Sequence, residues 1–226
     1  MLFGFLIQDK IRTRINNCLI KNESMKIICV GRNYAEHINE LSNQKPESPV
    51  LFMKPDTALM NKEMPFPIPE FSQNVQYEAE IVVKINKTGK HIQSEFAHKY
   101  YSQIALGLDF TARDTQQYLK EKGLPWEKAK AFDNSAFVSN FFPKEDYALE
   151  NLSFSLKHNQ QVVQSGNTKD MLWKIDELIA YISTYFTLKT GDLIFTGTPA
   201  GVGKVHSNDR LEGFLENEKV FDLKVL

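Results

Sequence analysis

The tightest limit on the fold comes from nine consecutive residues, Tyr77-Glu78-Ala79-Glu80-Ile81-Val82-Val83-Lys84-Ile85. Their β-branched and aromatic content suits a strand, and strand alternation puts Tyr77, Ala79, Ile81, Val83 and Ile85 on one face with Glu78 and Glu80 together on the other. Same-face neighbours on a strand stand roughly 6 to 7 Å apart, so the two carboxylates look into the same space. Unpaired they repel each other; a divalent cation removes that cost. The competing reading is a solvated strand face on which Lys84 is the counter-ion.

Further strands are expected at 27–30, 50–53, 104–110, 152–156, 193–196 and 220–225, where short apolar or alternating runs end in turn residues. The clearest helix spans 170–186, where Leu172, Ile175, Ile179, Ile182 and Phe186 recur at steps of three or four behind an N-cap at Thr168. Shorter helical patterns lie at 94–102 and 114–122. Many short strands, few helices and no βαβ rhythm define an α+β chain with a rolled or sandwiched sheet. At 226 residues with 42% hydrophobic side chains, one domain can bury a core without disulfides or a structural metal.

Charge narrows the function classes. There are 27 Lys plus Arg against 28 Asp plus Glu, and no block of five like charges, which argues against a nucleic-acid or polyphosphate surface. No apolar run approaches the roughly 18 residues of a membrane span. Cys18 and Cys29 lack metal-ligand spacing, so a reducing compartment, the cytoplasm, is expected. Residues 1–24 mix Leu2, Phe3, Phe5, Leu6 and Ile7 with Lys10, Arg12 and Arg14, and match no cleavable secretory signal. They read either as an extension ahead of a domain at 25–226, organelle-targeting or not, or as an ordinary first element of the fold.

Asp109 interrupts the apolar run Ala105-Leu106-Gly107-Leu108-Asp109-Phe110, where a carboxylate is costly unless paired or coordinated. Arg113 is one partner for it, and Asp114 is placed to cap the helix that follows. If instead Glu78, Glu80 and Asp109 converge, they form an all-oxygen set without Cys or His, which favours Mg²⁺ or Mn²⁺ over zinc and leaves positions for water and substrate.

Five blocks carry a resemblance: Gly31-Arg32-Asn33-Tyr34-Ala35-Glu36-His37, Tyr77-Glu78-Ala79-Glu80, Gly107 to Asp114, Gly123-Leu124-Pro125-Trp126, and Thr196 to Gly203. In this order they resemble the fumarylacetoacetate hydrolase family, and within it the acylpyruvase and oxaloacetate decarboxylase branch. The resemblance implies a mixed β-sandwich roll with a few peripheral helices, Mg²⁺ or Mn²⁺ held by Glu78, Glu80 and Asp109, and a lid carrying His37 and Glu40. The i, i+3 spacing of that pair independently suits contact on one helical turn. It also implies substrate contacts from Arg32, Lys54, Lys130, Gln116 and Thr198, a small 2-oxo acid as substrate, and assembly as a homodimer.

The implied chemistry is cleavage of an acylpyruvate, decarboxylation of oxaloacetate, or both, through a pyruvate enolate stabilised by the cation. In hydrolysis His37, held by Glu40, deprotonates a water and Lys130 balances charge on the substrate. An isomerase or tautomerase of unsaturated 2-hydroxy diacids, using the same cation without a water nucleophile, is the alternative. A silent 2-oxo-acid-binding member is a third. The segment Gly197 to Lys204 resembles a phosphate loop but is one residue too long, and Val205 replaces the hydroxyl residue that would meet Mg²⁺. It is expected to be a turn whose glycines bring backbone amides to a substrate carboxylate, or a tight turn with no ligand. Trp126 is expected to be a packing anchor, and His91, His98, His158 and His206 surface residues.

Overall fold

The computed structural model describes residues 25–40 and 44–226, so the expectation for residues 1–24 lies outside the described residues. In chain order its strands are β1 (Ile27–Gly31), β2 (Val50–Lys54), β3 (Val75–Tyr77), β4 (Ala79–Ile85), β5 (Tyr101–Asp109), β6 (Thr111–Ala112), β7 (Ala136–Val138), β8 (Phe142–Pro143), β9 (Ser153–His158), β10 (Gln161–Asn167), β11 (Leu193–Phe195), β12 (Gly203–Lys204), β13 (Arg210–Leu215) and β14 (Glu218–Lys224). The α-helices are α1 (Ala35–Glu40), α2 (Ser94–Ala97), α3 (Arg113–Glu121), α4 (Glu127–Lys130) and α5 (Ile175–Tyr185). None of the described helices is long and apolar enough to cross a membrane.

A seven-stranded sheet runs β2-β1-β11-β4-β5-β7, with β8 also on β5. Only β1 and β11 pair in parallel within it, which makes the sheet mixed. A four-stranded antiparallel sheet, β10-β9-β13-β14, and a small β12-β3-β6 sheet complete the roll. The expected α+β class and sheet-dominated roll are what is found. One core cluster joins the odd-numbered face of β4 (Ala79, Ile81, Val83, Ile85) to Phe154, Leu156, Leu211 and Leu223 of the four-stranded sheet. A smaller cluster, including Cys29, Val82, Ala105 and Phe195, covers the opposite face of the large sheet.

The run from Tyr77 to Ile85 is not one strand. It breaks at Glu78: Tyr77 pairs with Gly203 in the small sheet, and Ala79 pairs with Leu108 in the large one. The alternation survives the break, because Tyr77 and the odd positions of β4 share the same core.

The helices are shorter than their periodicity suggests. Leu172 and Trp173 were expected inside a helix, but their amides donate to the backbone carbonyl and side-chain Oδ1 of Asn33, both at 2.8 Å. The chain therefore makes a 3₁₀ turn at Thr168–Asp170, and α5 starts only at Ile175, where Lys174 N–H donates to Glu177 Oε2 at 2.7 Å. Ile175, Leu178, Ile179 and Ile182 then supply its buried stripe. The helix expected over 94–102 is the single turn α2, because Tyr101 opposite Ile85 opens β5. Strands β10 and β13 lay hidden in polar sequence, since Gln164 is the one buried residue of β10 and only alternate residues of β13 are buried.

Gly107 stands opposite Glu80, where a Cβ would lie 2.6 Å from Val82 Cγ2 and 2.8 Å from the Phe137 carbonyl oxygen. The backbone contact cannot swing away as a side chain can. Gly107→Ala is expected to destabilise the protein by about 1–3 kcal/mol through overpacking. The check is the urea midpoint, and an unchanged midpoint would refute this account of β4–β5 packing.

Candidate active site

The break at Glu78 and the end of β5 create the site. Asp109 N–H donates to the Glu78 carbonyl at 2.8 Å, so the backbone itself ties two of the carboxylate residues together. Register then places Glu80 across from Gly107, two residues before Asp109. One oxygen from each of Glu78, Glu80 and Asp109 lies within 4.8 Å of the others, and the three residues are 5%, 2% and 0% exposed. The convergence expected from the sequence is present.

Three cations balance this buried charge. Lys130 Nζ, from the C-terminal end of α4, reaches Glu78 Oε2 at 2.7 Å, Asp109 Oδ2 at 2.8 Å and Thr111 Oγ1 at 2.6 Å. Arg113 Nη2 reaches Glu78 Oε1 at 2.5 Å, while its Nε and Nη1 donate to Gln76 Oε1 and Gln116 Oε1. Lys54 Nζ lies 2.8 Å from Asp109 Oδ1 and donates to Ser135 Oγ and the carbonyls of Ser135 and Lys130. The sequence reading offered Arg113 as the partner of Asp109; the structure gives Arg113 to Glu78 instead. Asp114 does not cap α3 either. Ala112 is the N-cap, and Asp114 accepts from Ser72 Oγ and Gln73 N–H, which pins the preceding loop.

The charges of the set are unequal in environment. Burial pushes Glu78 upward, but Lys130 and then Arg113 outweigh it and hold this carboxyl below its usual range. Burial, reinforced by the charges of Asp109 and Glu78, drives Glu80 well above the usual range. Among the described residues Glu80 has no cation in ion-pairing contact, and its one hydrogen-bond donor is Gly197 N–H at 2.6 Å. Asp109 Oδ1, wholly buried, makes no hydrogen bond despite the nearby Lys54. A hard divalent cation such as Mg²⁺ or Mn²⁺ fits this set: all donors are carboxylate oxygens, one is otherwise uncompensated, and one has a lone pair unengaged by hydrogen bonding.

Helix α1 brings the second half of the site. His37 is buried, lines the same cavity as Glu78 and Glu80, and has Nδ1 3.1 Å from Glu40 Oε2. Glu40 Oε1 in turn accepts from Gly201 N–H at 3.0 Å. The base of α1 is tied down by buried Asn33, whose Nδ2 donates to the Thr196 and Trp173 carbonyls. Gly197 and Gly201 both have φ near +100°, and a Cβ on Gly201 would stand 2.0 Å from the Val163 carbonyl oxygen. The glycine amides were expected to meet a substrate carboxylate. They bind the protein's own Glu80 and Glu40, orienting a candidate cation ligand and the partner of His37.

Of the other expected residues, Arg32, Gln116 and Thr198 line the cavity with Lys130. Lys54 does not; it sits behind Asp109 with its side chain fully enclosed. Arg32 adopts φ 62°, a left-handed conformation unusual for a side-chain-bearing residue. Trp126, expected as a packing anchor, forms part of the cavity wall beside Phe52. His158 is half-buried rather than superficial, with Nε2 2.7 Å from Asp209 Oδ2 and its ring against Tyr77. Sequence reasoning missed Gln164. Its Oε1 accepts from Ala79 N–H, between the two glutamates, and its Nε2 donates to Thr198 Oγ1 and the Pro199 carbonyl. A glutamine in a polar stretch carries no signal that it is buried.

A β-roll that buries three carboxylates beside a histidine–glutamate pair has an enzyme-like site whose all-oxygen donor set suits a divalent cation. The chain belongs to the fumarylacetoacetate hydrolase family: the fumarylacetoacetate (FAA) hydrolase C-terminal domain matches residues 26–223. It is 46% identical over 188 residues to oxaloacetate tautomerase YcgM of Escherichia coli (strain K12), covering 82% of this chain and 86% of that protein. It is 42% identical over 182 residues to the mitochondrial oxaloacetate decarboxylase of Dictyostelium discoideum, covering 80% and 84%. The crystal structure of fumarylpyruvate hydrolase from Pseudomonas aeruginosa in complex with Mn²⁺ and pyruvate superposes with a TM-score of 0.84 at 34% identity, covering 89% of each chain.

A cation must displace any proton held on Glu80. Added Mg²⁺ or Mn²⁺ is therefore expected to raise the melting temperature of chelator-treated protein, by mass action, and to raise it more as pH climbs through the elevated pKa of Glu80. Asp109→Asn should remove the gain. A gain independent of pH would show that Glu80 is not a ligand.

Proposed function

We propose that the chain is a divalent-cation-dependent enzyme acting on small 2-oxo acids, and that its principal reaction is the enol–keto interconversion of oxaloacetate. The observation that carries this reading is the position of His37: one imidazole, held by Glu40, on the wall of the cavity that Glu78 and Glu80 also line. The names borne by relatives more than 40% identical to this chain support oxaloacetate as the substrate.

A cation held by Glu78, Glu80 and Asp109 supplies Lewis-acid polarisation of the 2-oxo acid's oxygens. The protein's own groups do the rest. With Nδ1–H directed to Glu40, His37 keeps a lone pair on Nε2, the form needed to accept a proton from the carbon next to the ketone. The electron pair of that C–H bond becomes the C2–C3 double bond, the C2=O π pair moves onto oxygen, and that oxygen takes a proton from water to give the enol. In reverse, the enol O–H proton passes to water as His37 returns its proton to carbon. Glu40, itself fixed by Gly201 N–H, stabilises the imidazolium between the two transfers. Lys130 places a positive charge beside the reacting oxygens, and Thr198 and Gln116 offer neutral hydrogen-bonding groups on the cavity wall.

Cleavage of acylpyruvates is the second reading. It uses the same two halves of the site, with His37 deprotonating a water instead of carbon, and the likeness to a fumarylpyruvate hydrolase favours it. Both the tautomerase and the hydrolase need His37; they differ in the product.

Three assays on the Mg²⁺- or Mn²⁺-loaded protein separate them: ultraviolet decay of oxaloacetate enol, pyruvate release from oxaloacetate, and loss of acetylpyruvate. Enol decay is expected to be fastest, to be accompanied by deuterium entry at C3 in D₂O, and to fall about 10²- to 10⁴-fold in His37→Ala. Acetylpyruvate cleavage outrunning enol decay would give the hydrolase reading precedence.

A further inference from the structure

Helix α3 presents Arg113, Gln116 and Lys120 at i, i+3 and i+7, a spacing that aligns them in one stripe, and all three line the cavity. The first two are engaged within the protein: Arg113 grips Glu78, Gln76 and Gln116. Lys120 is different. Among the described residues its ammonium makes no hydrogen bond and no ion pair, although the side chain is half-buried. It lies instead over the Trp126 ring, whose centroid is 5.5 Å from Nζ. Burial, followed by the like charges of Arg113, Arg32 and Lys130, holds its pKa below the ordinary lysine value. A flexible lysine could relieve that repulsion by turning to solvent, yet it rests along an aromatic wall of the cavity, which fixes the ammonium with an anion-sized need.

We propose that Lys120 is a specificity-determining residue that receives the distal carboxylate of a four-carbon 2-oxo diacid. The inference rests on the proposed function, in which the 2-oxo acid end of the substrate lies at Glu78, Glu80 and Asp109. Lys120 lies two helical turns along α3 from Arg113, rests on the Trp126 ring, and makes no ion pair with Glu78, Glu80 or Asp109, so it is outside the carboxylate cluster while lining the same cavity. In the proposal it meets the part of the substrate beyond the ketone. A diacid places a carboxylate there and answers the unpaired ammonium. A monoacid such as an acylpyruvate or pyruvate presents a neutral group and leaves it unanswered. Selection between diacids and monoacids is thus assigned to one side chain outside the cation ligands and the His37–Glu40 pair.

Trp126 gives the test an optical handle, because it touches Lys120 and is one of only 2 tryptophans in the chain. The Mg²⁺-loaded wild type, Lys120→Met and Lys120→Arg are titrated, following tryptophan fluorescence, with difluoro-oxaloacetate, a diacid with no proton to lose at C3, and with pyruvate. Lys120→Met is expected to weaken the diacid about 10- to 100-fold, the range of one charge-assisted hydrogen bond. Pyruvate should change less than about 3-fold, and Lys120→Arg should recover most of the lost diacid affinity. With oxaloacetate as substrate, the loss in Lys120→Met should fall on KM rather than kcat. Equal weakening of both acids, an unweakened diacid, or a wild type with no preference for the diacid would each overturn the proposal. Wild-type protein that prefers the diacid but does not turn over oxaloacetate would sink the proposed reaction and leave this recognition standing.

Discussion

Three carboxylates buried within 4.8 Å of one another are the constraint around which the rest of the structure is arranged. An isolated buried carboxylate costs several kcal/mol in effective desolvation, and mutual repulsion adds to it. The fold meets this with cations delivered from three different elements: Lys54 from the end of β2, Arg113 from the start of α3 and Lys130 from the end of α4. Breaking one partner from such a set leaves a buried charge uncompensated, so loss of any one of the three cations is costly even where the intact set adds little net stability. Because Lys54 and Lys130 meet on Asp109 from opposite sides, β2 and α4 are fixed relative to β5.

The same economy explains the glycine-containing turn after β11. A loop that offered its amides to a substrate would be free when no substrate is present. This loop instead spends Gly197 N–H on Glu80 and Gly201 N–H on Glu40. The one carboxylate of the cluster without a contacting cation, and the carboxylate that orients His37, are thereby set by one short stretch of backbone. Gln164 braces that stretch from β10 and holds the Ala79 amide at the same time. The two halves of the site, the carboxylate cluster and the His37–Glu40 pair, are mechanically one piece.

How much of this could be read from residues alone follows from the range of the interactions involved. Period-2 alternation is local, so the shared face of Glu78 and Glu80 and the core face of β4 were legible even though the strand breaks at Glu78. The cost of a carboxylate in an apolar strand is also local, and it marked Asp109. The partners that satisfy it are 21 residues away in Lys130 and 55 in Lys54, across different elements. Composition and spacing carry nothing about such distances, so Arg113, near in sequence, was paired with the wrong carboxylate. The start of α5 was missed for the same reason: Asn33, 140 residues earlier than Trp173, holds the backbone that periodicity assigned to helix. Gln164 was illegible because a buried amide and an exposed one are the same letter.

Charge on the cavity wall divides into what the protein consumes and what it leaves for a ligand. Arg113 and Lys130 on the wall, and Lys54 behind Asp109, are each committed to a carboxylate of the cluster, and their removal would disturb the site before any substrate arrives. Lys120 makes no such contact. A cation kept half-buried among other cations raises the energy of the substrate-free site, and that cost is recovered only when an anion binds. Under the proposed reading, an uncompensated charge outside the candidate cation ligands keeps recognition of the far end of a substrate separate from the chemistry at the near end. Side chains of that second kind can change without unsettling the buried cluster, which gives one shared arrangement of Glu78, Glu80 and Asp109 a physical route to substrates of different charge.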